Sequence, residues 1–362
     1  MPKVSIVLPT YNGERYIRES IDSILKQSFT DWELIVVNDC SIDSTLRIVS
    51  EYAEADERIR IINNEVNKKL PASLNIGFRN AQGEYLTWTS DDNRYLPDAI
   101  GIMVDYLEKN CDTVMVCTGM NIIDSVNVYV RTQPRYDSLK MYFNNYVGAC
   151  FMYRKAVLKE VGEYDVSRFL VEDYDYWLRI LFYYKKIGYI DDIQYLYRLH
   201  ENSLTETHLK EIHLQLLKLR KDYIDNIFKG INGDKNSLWT IFYEFKFSGF
   251  MDECLYKKFL AVFPEIKYEI KVSADDELIV YGAGNYGRRA QKAYGKRIKY
   301  FADMNKNIIG TKINGTEVIS VDSLSELQQK YVILIASYPT KIYSFINALV
   351  ARNIKSFAIF YN

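Results

Sequence analysis

Val4-Ser5-Ile6-Val7-Leu8-Pro9-Thr10-Tyr11-Asn12 is the stretch on which the fold turns. A short apolar run closed by proline reads as a strand buried on both faces. Leu34-Ile35-Val36-Val37 repeats the pattern and stops at Asn38-Asp39. Between the two runs, Ile17, Ile21, Ile24 and Leu25 recur at helical spacing, so residues 15–27 read as a helix crossing from one parallel strand to the next.

Outward from that unit the alternation continues. Residues 44–55 read as helix, with Ser41 or Asp43 as the cap; Ile59-Arg60-Ile61-Ile62 is a strand, 72–81 a helix and 85–89 a strand. Strand and helix in alternation predict an α/β doubly wound, mostly parallel sheet, whose ligands sit beyond the carboxyl ends of the strands. Asp39 and the pair Asp91-Asp92 fall at such ends. Further on, 97–109 reads as helix, 113–119 as strand, 155–161 as helix and 193–198 as strand. Residues 173–184 form an amphipathic helix that turns Tyr176, Trp177 and Ile180 inward.

Residues 208–229 read as one long charged helix with Leu209, Ile212, Leu216, Leu219 and Tyr223 on a stripe, and 239–268 as helix again. A second α/β start follows. Glu277-Leu278-Ile279-Val280-Tyr281 leads into Gly282-Ala283-Gly284-Asn285-Tyr286-Gly287 and a helix, Asp303 ends the next strand, and 331–336 is a third. The predicted organisation is therefore 1–206 as the first α/β domain, 207–272 as a helical connector, and 273–362 as a Rossmann-like unit too short for two mononucleotide halves. Its glycines allow either close approach of a pyrophosphate or tight strand-helix packing.

The 362 residues carry 46 basic and 47 acidic side chains, a net charge of -1 that argues against nucleic acid as a partner. Hydrophobic content of 48% suits a globular chain. No apolar run reaches the ~20 residues of a membrane span, and none resembles a signal peptide. Five scattered cysteines without a CxxC pair fit reduced thiols, so a cytoplasmic location is expected, with peripheral contact at the inner membrane face and homo-oligomerisation both left open.

Adjacent carboxylates at a strand end suit a hard divalent cation that bridges to a diphosphate, although Asp91-Asp92 could also be a polar turn. Asp39 at its strand end can accept from a base imide or a ribose hydroxyl, and Tyr11 can line a base pocket; the alternative is ordinary capping.

Taken in order, PTYN, NDCSIDST, NKKLPASLN, AQGEYLTWTSDDN, EDYDYWLR and YRLHENS resemble the inverting glycosyltransferases of family 2, with the GT-A fold, over residues 4–203. The resemblance implies a nucleotide-sugar donor, UDP-linked, a Mn²⁺ or Mg²⁺ ion, and a hydroxyl acceptor on a glycan, a lipid-linked precursor or a protein. It implies that Asp39 binds base or ribose, that Thr10, Tyr11 and Glu14 form the first nucleotide loop, and that Asp91 and Asp92 hold ribose and metal. Asp173 matches the base, with helix capping as its rival; Glu172 would support or bind the acceptor. Arg198 and His200 match a late motif near the diphosphate, His200 as a metal ligand or phosphate contact, Arg198 as a phosphate contact or a partner for an acid of the fold. The chain departs from the pattern twice: Asn38 replaces an acid, and Thr89 stands where the acidic cluster usually begins. Asn75 is read as structural, residues 136–150 as a candidate acceptor wall, and His208 and His213 as solvated. Competing readings are an NAD-dependent sugar-nucleotide oxidoreductase built on the C-terminal glycine turn, and a non-catalytic glycan-assembly scaffold.

Overall fold

Two of the strands expected first, β1 (Val4–Thr10) and β2 (Trp32–Asn38), are buried along every residue. Such strands need helices on both faces, and α1 (Ile17–Leu25) supplies one with Ile17, Ile21 and Ile24 inward. The computed structural model describes residues 1–133, 135, 137–138, 140–231 and 234–360. Its contacts divide the chain into two units, Met1–Gly230 and Ile231–Asn362, a division that falls inside the segment read as connector.

The first unit continues with α2 (Thr45–Ala55), β3 (Ile59–Asn63), α3 (Leu70–Arg79), β4 (Tyr85–Trp88), β5 (Arg94–Tyr95) and α4 (Ala99–Lys109). Then come β6 (Met115–Ile123), β7 (Tyr129–Thr132), β8 (Phe151–Arg154), α5 (Ala156–Val161), α6 (Glu172–Tyr184) and β9 (Gly188–Arg198). The sheet order is β3-β2-β1-β4-β8-β6-β9-β5, with β7 hairpinned onto β6. The long ladders β1/β2, β2/β3, β1/β4 and β6/β9 are parallel, as expected. The strands β5, β7 and β8, absent from the sequence reading, are antiparallel to their neighbours. At two to four residues each they are too short to display a period.

After a short α7 (Leu204–Thr207), the expected single helix over 208–229 is two, α8 (Leu209–Asp222) and α9 (Ile224–Gly230). Its apolar stripe breaks with it, Leu209 being exposed while Leu217 and Leu219 are buried.

In the second unit α10 (Lys235–Phe247) and α11 (Glu253–Val262) replace the single helix expected over 239–268, and Gly249 at φ +76° lies in the break. Trp239 on α10 packs edge-on to Phe263, ring centroids 5.0 Å apart. The α/β part comprises β10 (Leu278–Tyr281), α12 (Asn285–Tyr294), β11 (Ile298–Asp303), β12 (Lys312–Ile313), β13 (Thr316–Ser320), α13 (Leu324–Leu327), β14 (Val332–Ile335), α14 (Pro339–Val350) and β15 (Ala358–Ile359). Strand order is β12-β13-β11-β10-β14-β15, parallel except for the β12/β13 hairpin. This sheet is larger than expected, because β13 and β15 join the three parallel strands legible in the sequence.

The glycine turn has local reasons for two of its glycines. Gly282 sits at φ +110°, and a Cβ on Gly287 would fall 2.0 Å from the Gly282 carbonyl oxygen. A Cβ on Gly284 would meet nothing. Asp303, expected at a ribose, accepts from the N–H of Ala283 and of Asn305, both at 2.9 Å, and so holds the turn. No helix among the described residues is long and apolar enough to cross a membrane.

Candidate active site

Strands β1 and β4 run parallel with Val7 opposite Trp88, so the loops leaving them emerge side by side. There, and beyond β2, the first unit opens a cleft of about 670 Å³. Of the residues singled out from sequence, Thr10, Tyr11, Asp39, Asp91, Asp92, Asp173 and His200 line it, and Glu14 and Arg198 do not.

The first carboxylate pair divides its partners. Thr10 Oγ1 donates to Asp91 Oδ2 at 2.5 Å. A Cβ on Gly13 would lie 2.2 Å from that same oxygen, so glycine is the residue that admits the contact. Burial first, and the charge of Asp92 second, push the Asp91 carboxyl up to about 7. Asp92 Oδ2 lies 3.0 Å from His200 Nε2, and the His200 ring rests against Tyr16 with centroids 5.1 Å apart. Asp92 Oδ1 and His200 Nδ1 are both buried and lack a protein partner.

Buried unpartnered acceptors call for a ligand. A carboxylate oxygen so placed suits a hard divalent ion that completes its shell with water and phosphate. Among the described residues no cluster of three or more acidic, His or Cys side chains is arranged to hold an ion, so the protein's share of such a shell is small.

The second pair opens α6. Asp173 is partly exposed to the cleft; its Oδ2 accepts from Asn145 Nδ2 at 2.7 Å and its Oδ1 from the Tyr174 N–H at 2.6 Å. Glu172 is 5% exposed, and its Oε2 has no partner. Burial, then the neighbouring Asp173, push the Glu172 carboxyl up to about 8. Burial also raises Asp173, against hydrogen bonds from Tyr174 and Asn145 that favour its charged form. Just upstream, Leu170 lines the cleft at φ +78°, a conformation that costs a γ-branched residue strain of the kind concentrated at functional sites.

Two expectations change and a third narrows. Glu14 points away from the cleft: its Oε2 accepts from the Ser44 N–H at 2.9 Å, tying the first loop to the start of α2. Arg198 is fully buried and donates to Asp92 O, Asn127 Oδ1 and Glu19 Oε2 at 2.8–2.9 Å while stacking on Tyr16. At the end of β9 its charge is met inside the fold, the second of the two roles expected for it. His208, read as solvated, lines the cleft at the start of α8.

Asp39 accepts from Asn64 Nδ2 and from the N–H of Lys68 and Lys69 at 2.8–2.9 Å. With about four acceptor positions on a carboxylate, one is left for a ligand. Asn38 bonds Asn63 and stays outside the cleft lining, while Asn75 exchanges both its amide groups with the Tyr164 backbone, a structural role. Arg15 and Lys69 add positive charge to the lining, and Lys69 holds φ +70° at the head of α3. Of the segment read as acceptor wall, Asn145, Gly148 and Ala149 line the cleft, and Tyr136 lies outside the described residues. Gly13 carried no sequence signal, because it acts through Asp91, distant along the chain, whereas Lys69 and Asn145 fell inside segments read from sequence without being singled out.

Residues 5–162 match the family described as Glycosyl transferase family 2. An uncharacterized glycosyltransferase of Rickettsia typhi is 32% identical over 223 residues, which cover 58% of this chain and 68% of the relative. The putative glycosyltransferase EpsE of Bacillus subtilis is 43% identical over 128 residues, 35% of this chain and 46% of that protein. Among solved structures, a mannosyltransferase of Pyrobaculum calidifontis, in complex with GDP-Man and Mn²⁺, has a TM-score of 0.51 at 14% identity, covering 73% of this chain and 80% of its own. At that identity the likeness is one of fold.

Proposed function

The chain belongs to glycosyltransferase family 2, and from that premise we propose a metal-assisted, inverting transfer from a nucleoside diphosphate sugar, UDP-linked, to a hydroxyl of a glycan, lipid-linked or protein acceptor. The observation that carries this reading is one cleft with two carboxylate pairs in different electrostatic settings. Asp173, on the cleft wall, takes the proton of the acceptor hydroxyl. The acceptor oxygen forms its bond to the anomeric carbon as the bond to the diphosphate oxygen breaks, and the electron pair leaves with the diphosphate. A single displacement inverts the anomeric centre.

Asp91, Asp92 and His200 are the side chains that would hold a Mn²⁺ or Mg²⁺ ion, Asp92 Oδ1 being the carboxylate oxygen left without a protein partner. Such an ion, when bound, neutralises charge developing on the leaving diphosphate. Arg15 and Lys69 add fixed positive charge along the same cleft, and Tyr11 with the remaining acceptor position of Asp39 faces the nucleoside.

The test is a thermal-shift and product-release panel of UDP-glucose, UDP-galactose, UDP-N-acetylglucosamine, UDP-N-acetylgalactosamine, GDP-mannose and NAD, with and without MnCl₂. A ligand at ~100 times its dissociation constant stabilises by roughly 2.7 kcal/mol, which a melting curve resolves. The expected result is a Mn²⁺-dependent rise with one UDP-sugar and release of UDP. Stabilisation by GDP-mannose alone overturns the uridine assignment, and stabilisation by NAD alone favours the oxidoreductase reading.

A further inference from the structure

The base position is built from two sides, and only one of them lies on its own helix. The Tyr174 N–H reaches Asp173 Oδ1 from within the first turn of α6. The other contact comes from Asn145, in the loop leading to β8. The amide of Asn145 is itself oriented: its Oδ1 accepts from the N–H of Val147 at 3.2 Å and of Gly148 at 3.4 Å. With the oxygen engaged there, the Nδ2 group is the face left for Asp173, so the donor and acceptor ends cannot exchange without breaking contacts. The loop closes through Gly148 at φ +74°, a conformation that glycine adopts without strain.

We propose that Asn145 is a positioning residue for the transfer: through its amide it holds the Asp173 carboxylate in one orientation and in its proton-accepting form. This rests on the reading of Asp173 as the base. The need for such a donor follows from what else surrounds Asp173. Burial and the Asp175 carboxylate on the same helix favour its neutral form, while Glu172 beside it and Tyr164 and Tyr197 from other elements keep their own protons at neutral pH. A directed N–H is the counterweight available to an uncharged side chain. Without it the carboxylate gains rotational freedom and a greater affinity for its proton, and it works as a base only at higher pH.

The experiment uses the full chain and the UDP-sugar of the panel above that gives the fastest UDP release with MnCl₂. Rates are measured from pH 5 to 9 for wild type, Asn145→Ala, Asn145→Leu and Asp173→Asn. Asn145→Leu keeps the side-chain size and removes the donor without adding charge, so it tests the idea even if the alanine variant folds poorly. For both Asn145 variants the acidic limb of kcat is expected to move up by about one pH unit, with kcat at pH 7 down about tenfold. KM for the donor and the melting temperature should stay close to wild type. An unmoved limb in Asn145→Leu, with Asp173→Asn inactive, overturns the role of Asn145 and leaves the base in place. Full activity in Asp173→Asn overturns the base reading itself.

Discussion

Two pairs of adjacent carboxylates face the same cleft, and they are settled in different ways. Asp91-Asp92 has a neighbour for each member: a threonine hydroxyl for one, an imidazole for the other. Glu172-Asp173 has two donors on Asp173 and leaves a buried oxygen of Glu172 without a partner. Two acids side by side in a confined space resist ionising together, so whichever member gains the hydrogen bonds keeps its charge more readily. On that argument Glu172 is the member of its pair that keeps its proton, and Asp173, the proposed base, the one that ionises more readily. In the first pair Asp91 is the member pushed up, and Asp92 keeps an unpartnered oxygen in a buried setting.

The comparison is most sharply broken at the base. Asp173→Asn is expected to lower turnover by roughly 10³-fold, the range for removing a general base, with UDP-dependent stabilisation retained in a melting assay. Loss of UDP binding in that variant would mean that the two pairs do not divide their labour. Next in size is the double change Asp91→Ala with Asp92→Ala. It should abolish the Mn²⁺-dependent part of UDP stabilisation and reduce turnover by roughly 10²-fold. Mn²⁺-dependent UDP binding that survives in the double variant rules out this pair as the metal anchor.

A smaller effect separates position from presence. In Gly13→Ala the new Cβ would fall 2.2 Å from Asp91 Oδ2 and 2.7 Å from Thr10 Oγ1, so the pair must part and stability should drop by about 1–3 kcal/mol in urea. Asp91 then loses its Thr10 contact, and turnover should fall about tenfold. Unchanged turnover would show that this contact is dispensable.

The last effect is on stability alone and has a definite sign. Glu172, with its folded value raised to about 8, keeps its proton in the fold while the unfolded chain has already released it. Stability is therefore highest below the ordinary carboxyl range and declines as pH rises from there to about 8. Glu172→Gln removes that decline. Its melting temperature should match wild type near pH 4.5 and exceed it increasingly toward pH 8, and a constant difference across pH would refute the assignment.

Much of this was legible before any coordinates. The strands β1, β2, β3 and β4 and the helices between them follow from apolar runs and helical spacing, because burial on a two-sided sheet imposes those patterns locally. Adjacent acids at two strand or helix ends announced the cleft in the same way. Arg198 and Glu14 illustrate the limit. A charged residue in a motif looks the same in sequence whether its charge is met by a ligand or by an acid of the fold, the two roles open for Arg198, of which the structure shows the pairing with Glu19. The short antiparallel strands and the breaks in the two long helices were hidden for a related reason, since turns and two-residue pairings depend on neighbours that the local pattern does not specify.

The division follows chain distance. By itself the sequence determined the layered α/β plan and where acids cluster, since both are properties of neighbouring residues. Tertiary structure decided which acid is held charged, which is held neutral and which is left for a ligand. Those outcomes depend on Thr10 meeting Asp91 across 81 positions, Asp92 meeting His200 across 108 and Asn145 meeting Asp173 across 28. Desolvation and hydrogen bonding set a proton's affinity only once the chain has brought such groups together.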